Sequence, residues 1–574
     1  MQTLIWLGAA VALAGYLLTI GLGAAALLHR ADHSPAEDFL IALAAAVAIP
    51  ALAALLMRPL PLSYLLWSPL IAAALLLGAV AVLVRKRQWL RTMLTDPIVR
   101  LMAGGVAAAA ALALLIGALP WDWTGVIGNA PIVGDAGLVD SRHVPLMPGD
   151  SYLQYRTAQF VQNRLPAFET PFFGGWFISD RTPLLGLMTT FMMSAAHIQL
   201  PVQQLSSLNQ PFQLIDPFGY WLYRQLSILT NALALAPAIL VAHELFGRRA
   251  ARLGLVFSLL SPFILINLLF HWPKLLAGFF IVSFFYWLAV RRRPALAGAF
   301  GAGAVLSHPI GILWLPGMLA YALWRRQLSS FAISAAVIAL LLAPWFVWTS
   351  VIHHHPSRML TYPIGYVITD PTRASTETAA AWHAFTQRPL LSILDDRWVT
   401  IRDTVFSWSF FENLWRAHSP HEVRWAIFEM FRVSFAGIFG VPLLIWGFIS
   451  WRRILTSGFW FAALGASTLC IFLFWGVWPR GITIEAFQPG TALWICLAAA
   501  ILAGGSIRLG RSVLVLSAIE CLVVAYLFLV RVPPLTSWGV GSLVAVVLSL
   551  ALVGLLVARG WSWARLEPTG WTAR

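Results

Sequence analysis

The polar residues best suited to chemistry lie in one segment between long apolar stretches, at residues 148–183. Asp150, in PGDSY, stands directly before LQYRTAQFVQNR, whose pattern predicts a short amphipathic helix with Tyr152 and Phe160 on one face. A carboxylate held in a fixed direction can take a proton from a reacting hydroxyl, which is the role of a general base. Asp150 also suits an N-cap of that helix, and the two roles are compatible.

A second polar motif, SDRTP at residues 179–183, closes the same segment just before the chain returns to apolar sequence. Asp180 supplies a second carboxylate, and Arg181 supplies a planar guanidinium that can bind phosphate oxygens in pairs. The ordinary interpretation of the same residues is a charged helix flank with a proline in the first turn. The sequence leaves both interpretations open.

Candidate cations for an anionic substrate stand at other turns of the chain. Lys274, in HWPK, is one of only two lysines, and Arg358 and Arg480 lie in segments predicted on the same side of the membrane. Lys274 could instead extend its ammonium to water from a helix start. His308, at a junction of two short apolar helices, could face a site or simply make a hydrogen bond at the junction.

A metal centre is not predicted. The run HHH at residues 353–355 would point its rings in alternating directions on an extended segment, so the three cannot reach one ion. Asp395 and Asp396 are better explained as a solvated turn. No cofactor is assigned, and the sequence leaves open whether a divalent cation takes part.

The composition requires a membrane as solvent. The 574 residues are 60% hydrophobic and 11% charged, with a mean hydropathy of +0.79. Apolar stretches of about 20 residues recur, and each can cross a hydrocarbon core of about 30 Å as a helix. We therefore expect an all-α polytopic membrane protein with about fifteen transmembrane helices.

The distribution of basic residues predicts the topology. The net charge is +15, and the basic residues cluster at span ends, which follows the positive-inside rule and argues against a nucleic-acid partner. With Arg85–Arg100 in the cytoplasm, residues 120–218 and 351–430 become two large outside loops. The apolar stretch 182–200 would break this parity if it crossed, so it is predicted to be an interfacial or re-entrant helix.

These motifs, in this order, resemble those of the GT-C glycosyltransferases that use polyprenyl-phosphate sugars, such as protein O-mannosyltransferases and the lipid A aminoarabinose transferase. GDSYLQYRTA and SDRTPLLGL carry the resemblance, which continues through HELFGRRAARLGLVFSLLSPF and GAVLSHPIGILWLPG. It covers residues 101–430 and implies a GT-C helix bundle with outside loops 120–218 and 351–430. Residues 1–100 are then extra N-terminal transmembrane helices, and residues 431–574 are a variable C-terminal module.

The resemblance implies transfer of a sugar from a polyprenyl-phosphate carrier to a lipid, protein or polysaccharide of the cell envelope. The reaction would take place among membrane lipids at the outer face of a bacterial inner membrane, with inversion at the anomeric carbon. Asp150 is the implied general base and Asp180 a second catalytic carboxylate. The implied substrate and phosphate contacts are Lys274, Arg358, Arg480, His308, Tyr152 and Arg181.

The sequence departs from the family pattern at three of these places. Ser151 follows Asp150 where a second acid is usual, Thr182 replaces a proline, and His308 stands where a lysine is common. Two other functions remain as alternatives: a transporter or flippase for a lipid-linked glycan, and an O-antigen ligase or polymerase. Only Glu520 lies inside a span, as a transporter would require, and a ligase would give Asp150 no role.

Overall fold

The computed structural model is helical in all the parts of the chain that it describes. The described residues are 2–117, 153–165, 178–200, 217–269, 271–354, 386–395, 398–399, 412, 415–418, 423, 511–512, 514–521 and 540–563. The main helices are α1 (Gln2–Leu28), α2 (Pro35–Met57), α3 (Tyr64–Arg85), α4 (Arg87–Thr95), α5 (Pro97–Gly117), α6 (Leu153–Gln162), α7 (Leu184–Ala195), α8 (Pro217–Ala232), α9 (Leu235–Leu260), α10 (Pro262–Leu269), α11 (Lys274–Phe285), α12 (Pro294–Ser307), α13 (Leu315–Trp324), α14 (Leu328–Phe346) and α15 (Val540–Trp563).

Among the described residues, seven stretches of helix are long and apolar enough to cross a membrane. They are α1, α2, α3, α5, α8 with α9, α14 with the wide turn that extends it, and α15. An eighth crossing results if α10 and α11, which meet at a bend of 116°, form one broken span. The prediction of an all-α polytopic membrane protein is confirmed. The total of about fifteen spans stays a prediction, because most of residues 431–539 lie outside the described residues.

The stretch formed by α8 and α9 is long enough for two crossings. It runs for 43 residues, which at 1.5 Å per residue is about 65 Å, twice the thickness of a hydrocarbon core. Gly247 interrupts it with φ 83°, a backbone conformation that glycine adopts without steric cost. The interruption falls between the spans predicted at residues 219–243 and 253–270, beside the basic residues that follow Gly247.

The first three helices form a closely packed unit. Gly21 of α1 lies so near α2 that an added Cβ would meet the carbonyl oxygen of Ala42 at 2.2 Å, and one at Gly23 would meet Ala79 of α3 at 2.6 Å. Small residues permit such close approach of helices in membranes, where packing drives association. We call α1, α2 and α3 the N-terminal unit.

Helix α7 does not cross the membrane. Its 12 residues rise about 18 Å, which is less than the thickness of the hydrocarbon core. Residues 184–194 are all buried, because α2, α3 and α6 pack around them. This agrees with the expectation of a re-entrant segment at residues 182–200, covered by protein rather than exposed to lipid.

Helices α11 and α12 run antiparallel and define two ends of the bundle. Lys274 begins α11 and His308 follows α12, whereas Arg291–Arg293 lies between the two helices at the other end. Helix α13 then returns to Arg325–Arg326, so α12 and α13 are the two short helices predicted to meet near His308. We call the two ends the Lys274 end and the Arg291 end.

Candidate functional site

Three of the predicted site residues come together at the Lys274 end. Arg181 follows a short 3-10 turn (Ile178–Asp180), Lys274 is the first residue of α11, and His308 lies between α12 and a second 3-10 turn. The turn that begins at Pro309 packs against α11, and α12 packs against α7, so the three residues lie on or beside elements that contact one another. The charges of Lys274 and Arg181 also lower the pKa of His308. We call Arg181, Lys274 and His308 the Lys274 cluster.

Lys274 is buried within the protein. Its side chain is 3% exposed, and Nζ lies 3.5 Å from the centroid of the Trp272 ring, so the ammonium rests on the aromatic face. The alternative that Lys274 extends its charge into water is therefore wrong. An ammonium withdrawn from water is costly unless negative groups or dipoles compensate it.

Helix α8 fixes the turn that presents Lys274. The hydroxyl of Tyr223 donates to the carbonyl oxygen of His271 at 3.0 Å, and Asn231 Nδ2 donates to that of Trp272 at 2.8 Å. Asn231 Oδ1 also accepts from the backbone N–H of Leu276 at 3.1 Å. These bonds hold the backbone on both sides of Lys274 and so fix the direction of its side chain.

A cage of aromatic rings surrounds His271 in the same turn. The ring is fully buried, its centroid lies 5.9 Å from those of Tyr220 and Tyr223, and Tyr155 of α6 packs against both tyrosines. His271 Nδ1 lies 3.4 Å from the Tyr220 hydroxyl, while Nε2 has no hydrogen-bond partner within the described structure. A buried polar atom in this state costs about 1–3 kcal/mol, and such atoms often mark functional sites.

His308 makes the hydrogen bond at the helix junction that was one of its two predicted roles. Its Nδ1 accepts from the backbone N–H of Ile310 at 3.2 Å, so the ring caps the turn that begins at Pro309. His308 lies outside the helices long enough to cross a membrane. Burial lowers its pKa well below the ordinary 6.5, and the charges of Lys274 and Arg181 lower it further. A neutral ring can offer a hydrogen bond to a substrate but contributes no charge.

Helix α6 differs from the amphipathic helix predicted for residues 153–162, because every one of its residues is buried. Its polar side chains bond to neighbouring protein instead of water. Gln154 Oε1 accepts from the backbone N–H of Gly186 at 3.0 Å, and Gln162 Nε2 donates to Ser194 Oγ at 2.8 Å. The polar face predicted to meet solvent meets α7.

Sequence reasoning missed two buried cations near this site. Arg156 of α6 and Arg224 of α8 are 1% and 2% exposed, so both guanidinium groups lie inside the protein. Arg156 donates to Gln159 Oε1 at 2.8 Å and rests 5.7 Å from the centroid of the Phe160 ring. Their positions on otherwise ordinary helices gave no sign of burial.

The other predicted site residues lie wholly or partly outside the described residues. Asp150, Tyr152, Arg358 and Arg480 are not among them, and only the backbone of Asp180 is described. Within the described part of the chain, no group of three or more His, Cys, Asp or Glu could hold a metal ion.

A different set of charges occupies the Arg291 end. Glu37 is fully buried; both its oxygens contact Arg291, with a bond of 3.1 Å from Nη2, and Tyr286 OH donates to Oε1 at 3.3 Å. Glu37 also forms a capping box with Ser34 at the start of α2. The capping-box spacing SPAE was the sequence signal that could have revealed this carboxylate.

The neighbouring Asp38 is equally buried and equally paired. It accepts from Trp89 Nε1 at 2.8 Å, and its oxygens lie 2.7 and 3.1 Å from Nδ1 of His29 and His33. We call Glu37 and Asp38 with their partners the Glu37 cluster; the partners are Arg291, Tyr286, Trp89, His29 and His33. It ties the start of α2 to α4 and to the turn between α11 and α12.

Comparison with known proteins gives similarity in structure only. No protein-family model and no curated protein sequence matches the chain. Among solved structures, the chain is similar to ArnT from Cupriavidus metallidurans in the apo state, with 15% identity over 80% of this chain and 73% of that chain and a TM-score of 0.43. The same ArnT bound to undecaprenyl phosphate gives 15% identity, coverage of 80% and 74%, and a TM-score of 0.40. An Archaeoglobus fulgidus oligosaccharyltransferase tethered to an acceptor peptide gives 16% identity, coverage of 81% and 55%, and a TM-score of 0.35.

Proposed function

We propose that this chain is a membrane glycosyltransferase that moves a sugar from a polyprenyl-phosphate carrier to a hydroxyl of a cell-envelope acceptor. The Lys274 end would face the outer side of a bacterial inner membrane, because the basic Arg291–Arg293 and Arg325–Arg326 turns lie at the other end. The observation that carries the proposal is the Lys274 cluster. It brings two basic side chains and a neutral imidazole together from three separate parts of the sequence.

The Lys274 cluster is suited to the phosphate of a lipid carrier. Arg181 offers a planar fork that can bind two phosphate oxygens, and Lys274 offers a point charge with three donors. Because Lys274 is withdrawn from water, its attraction for an anion is much stronger than that of an exposed lysine. Negative charge grows on the phosphate as it leaves the sugar, so these groups would stabilise the transition state more than the bound donor.

The proposed reaction is a single displacement. The acceptor hydroxyl gives its proton to the Asp150 carboxylate and its oxygen attacks the anomeric carbon. The bond from that carbon to the phosphate oxygen breaks on the opposite face, and its electron pair stays on the lipid phosphate, which inverts the configuration. General-base assistance of this kind is worth about 10² to 10⁴ in rate. Asp180, directly before Arg181, is the second proposed catalytic carboxylate.

Other groups complete the proposed site. Tyr152, Arg358 and Arg480 are proposed substrate contacts that would approach from the outside loops. His308 would donate one hydrogen bond from Nε2 to a phosphate oxygen, because its Nδ1 already accepts from Ile310. The acceptor is a lipid, protein or polysaccharide of the envelope, and a divalent cation stays an open part of the proposal.

The test separates Lys274 and Arg181 from basic residues at the other end. We expect Lys274→Gln and Arg181→Gln each to lower the rate of glycan transfer by about 100-fold or more, the size of effect seen when one charge-stabilising donor is removed. Arg325→Gln, at the Arg291 end, is the matched control and should transfer at the normal rate. Normal transfer by both site variants would refute the proposed phosphate site.

The same assay distinguishes a transferase from a flippase. Protein in detergent micelles has no second compartment, so a transporter can produce no change in the donor lipid there. A glycosyltransferase still forms a new glycosidic bond, detectable by mass spectrometry as a heavier acceptor and a free polyprenyl phosphate. Unchanged donor and acceptor in micelles, together with lipid movement in vesicles, would favour the transporter.

A further inference from the structure

We propose that Arg164 is a positioning residue for the transfer reaction, because it fastens the helices that carry Arg181 to the N-terminal unit. The inference rests on the proposed function and adds to it a role for the extra N-terminal helices. Arg164 lies two residues after α6, at the turn where α6 meets the connection between α2 and α3.

The guanidinium of Arg164 is held by four backbone carbonyl oxygens of that connection. Nη1 donates to Arg58 O at 3.1 Å, and Nη2 lies 3.0 Å from Met57 O. Nη2 also lies 2.6 Å from both Leu60 O and Leu62 O. The last carbonyls of a helix have no partner within the helix, so Arg164 supplies donors that the end of α2 would otherwise lack.

The backbone of Arg164 closes α6. Its φ is 54°, the left-handed conformation common just after a helix, and the N–H of Leu165 donates to Phe160 O at 3.1 Å. A reciprocal bond runs from Arg58 Nη2 to Leu165 O at 3.1 Å, and the Arg164 guanidinium lies 5.4 Å from the centroid of the Tyr64 ring. Several contacts from both sides therefore fix this turn.

Helix α6 carries the constraint to α7. At one end of α6, Asn163 Nδ2 donates to Leu200 O at 2.7 Å, and Gln162 Oε1 accepts from the backbone N–H of Leu200 at 2.6 Å. At the other end, Gly186 packs so closely that an added Cβ would meet Thr157 at 2.5 Å. We therefore treat the two helices as one body. Because α7 begins only three residues after Arg181, the position of this body determines the position of Arg181.

The Arg291 end provides a matched control. Arg291 also anchors the N-terminal unit, through its bonds to the buried carboxylate of Glu37, but it does so at the start of α2, whereas Arg164 binds the other end of that helix. A variant there should loosen the N-terminal unit while leaving Arg181 in place. Loss of stability alone can thus be separated from loss of position.

The experiment measures the affinity of the full-length protein in lipid nanodiscs for undecaprenyl phosphate, with the thermal midpoint recorded for each variant. We expect Arg164→Gln to weaken binding about 10-fold, since it removes charge-assisted bonds, and Arg164→Lys to recover most of the loss. Arg58→Gln, a milder change, should weaken binding about 3-fold by the same argument. Arg291→Gln should lower the thermal midpoint and leave the affinity unchanged.

Two results would overturn the inference. One is normal affinity in both Arg164→Gln and Arg58→Gln, and the other is equal weakening in Arg291→Gln, which would reduce the effect to general instability. Arg181→Gln separates this failure from failure of the proposed function. If Arg181→Gln weakens binding but Arg164→Gln does not, only the positioning role fails; if neither does, the phosphate site fails as well.

Discussion

The two ends of the helix bundle use buried charge in different ways. At the Arg291 end, the carboxylates of Glu37 and Asp38 are each surrounded by donors at hydrogen-bond distance, so opposite charges meet inside the protein. At the Lys274 end, like charges are gathered: Arg181 and Lys274 lie near one imidazole. The first arrangement pairs opposite charges, whereas the second gathers two basic side chains around a neutral ring.

This difference suggests a structural role for the charges at the Arg291 end and a functional role for those at the Lys274 end. A paired buried carboxylate holds helices together, and removing either partner destabilises the protein. Basic side chains gathered inside a protein are candidates for binding an anion, and at such functional sites activity is favoured over stability. Variants at the Arg291 end should therefore mainly lower stability, and variants at the Lys274 end should mainly lower activity.

The largest expected effect is the loss of sugar-transfer rate in the Lys274→Met variant. Methionine keeps the apolar stem and removes the charge, so transfer should fall by about 10² to 10³, or about 2.7–4 kcal/mol of transition-state stabilisation. Thermal stability should stay the same or rise, because no ammonium is buried. A fall in the thermal midpoint as large as that of Arg291→Gln would show that Lys274 is a structural cation and would erase the contrast between the ends.

The next effect is on the stability of Arg291→Gln. The change leaves the buried Glu37 carboxylate without its charge partner, which should cost about 3 kcal/mol in the free energy of unfolding. Thermal unfolding in detergent measures this loss, and the folded fraction should transfer sugar at the normal rate. Unchanged stability would mean that the Glu37 cluster is not a structural anchor.

The sequence was sufficient to predict the architecture of the bundle. Apolar stretches of span length and basic span ends are long-range patterns that the bilayer imposes, and the structure has the long apolar helices that they predict. Arg181, Lys274 and His308 were predicted at turns on one side of the membrane, and their joint role at a site stays a prediction. Asp150, Tyr152, Arg358 and Arg480 stay predictions.

Single polar residues inside helices could not be assigned in the same way. Asn231 and Tyr223 fix the turn before Lys274, yet each is one polar group in an apolar helix and forms no periodic pattern. The polar face of α6 predicted solvent, because the sequence cannot show that α7 supplies partners for Gln154 and Gln162. These roles depend on which helix packs opposite, which is tertiary information.

A smaller effect tests whether α6 and α7 are one body. Gly186→Ala would place a Cβ 2.6 Å from Thr157 Cβ, so the helices must separate, at a cost of about 1–3 kcal/mol. Gly104→Ala, where nothing lies within 4 Å, is the control and should be neutral or slightly stabilising. Thermal unfolding compares the two, and equal midpoints would contradict the close packing that links Arg164 to Arg181.

The smallest effect concerns His308 and pH. Its lowered pKa means that the unfolded chain binds a proton at about pH 6.5 and the folded protein does not, so stability falls as the pH drops below that value. His308→Gln should remove this loss. Affinity for undecaprenyl phosphate should follow the same pH profile in both proteins between about pH 6 and 8, since the ring is neutral there. A step near pH 6.5 in the wild type alone would show that a charged His308 binds the phosphate.

The most direct measurement compares the affinities of undecaprenyl phosphate and uncharged undecaprenol for the wild type and for a variant that combines Arg181→Gln with Lys274→Gln. We expect the wild type to prefer the phosphate by about 100-fold or more, from two charge-assisted contacts, and the double variant to bind both lipids almost equally. A double variant that keeps the full preference for phosphate would contradict the assignment of the Lys274 cluster as the phosphate site.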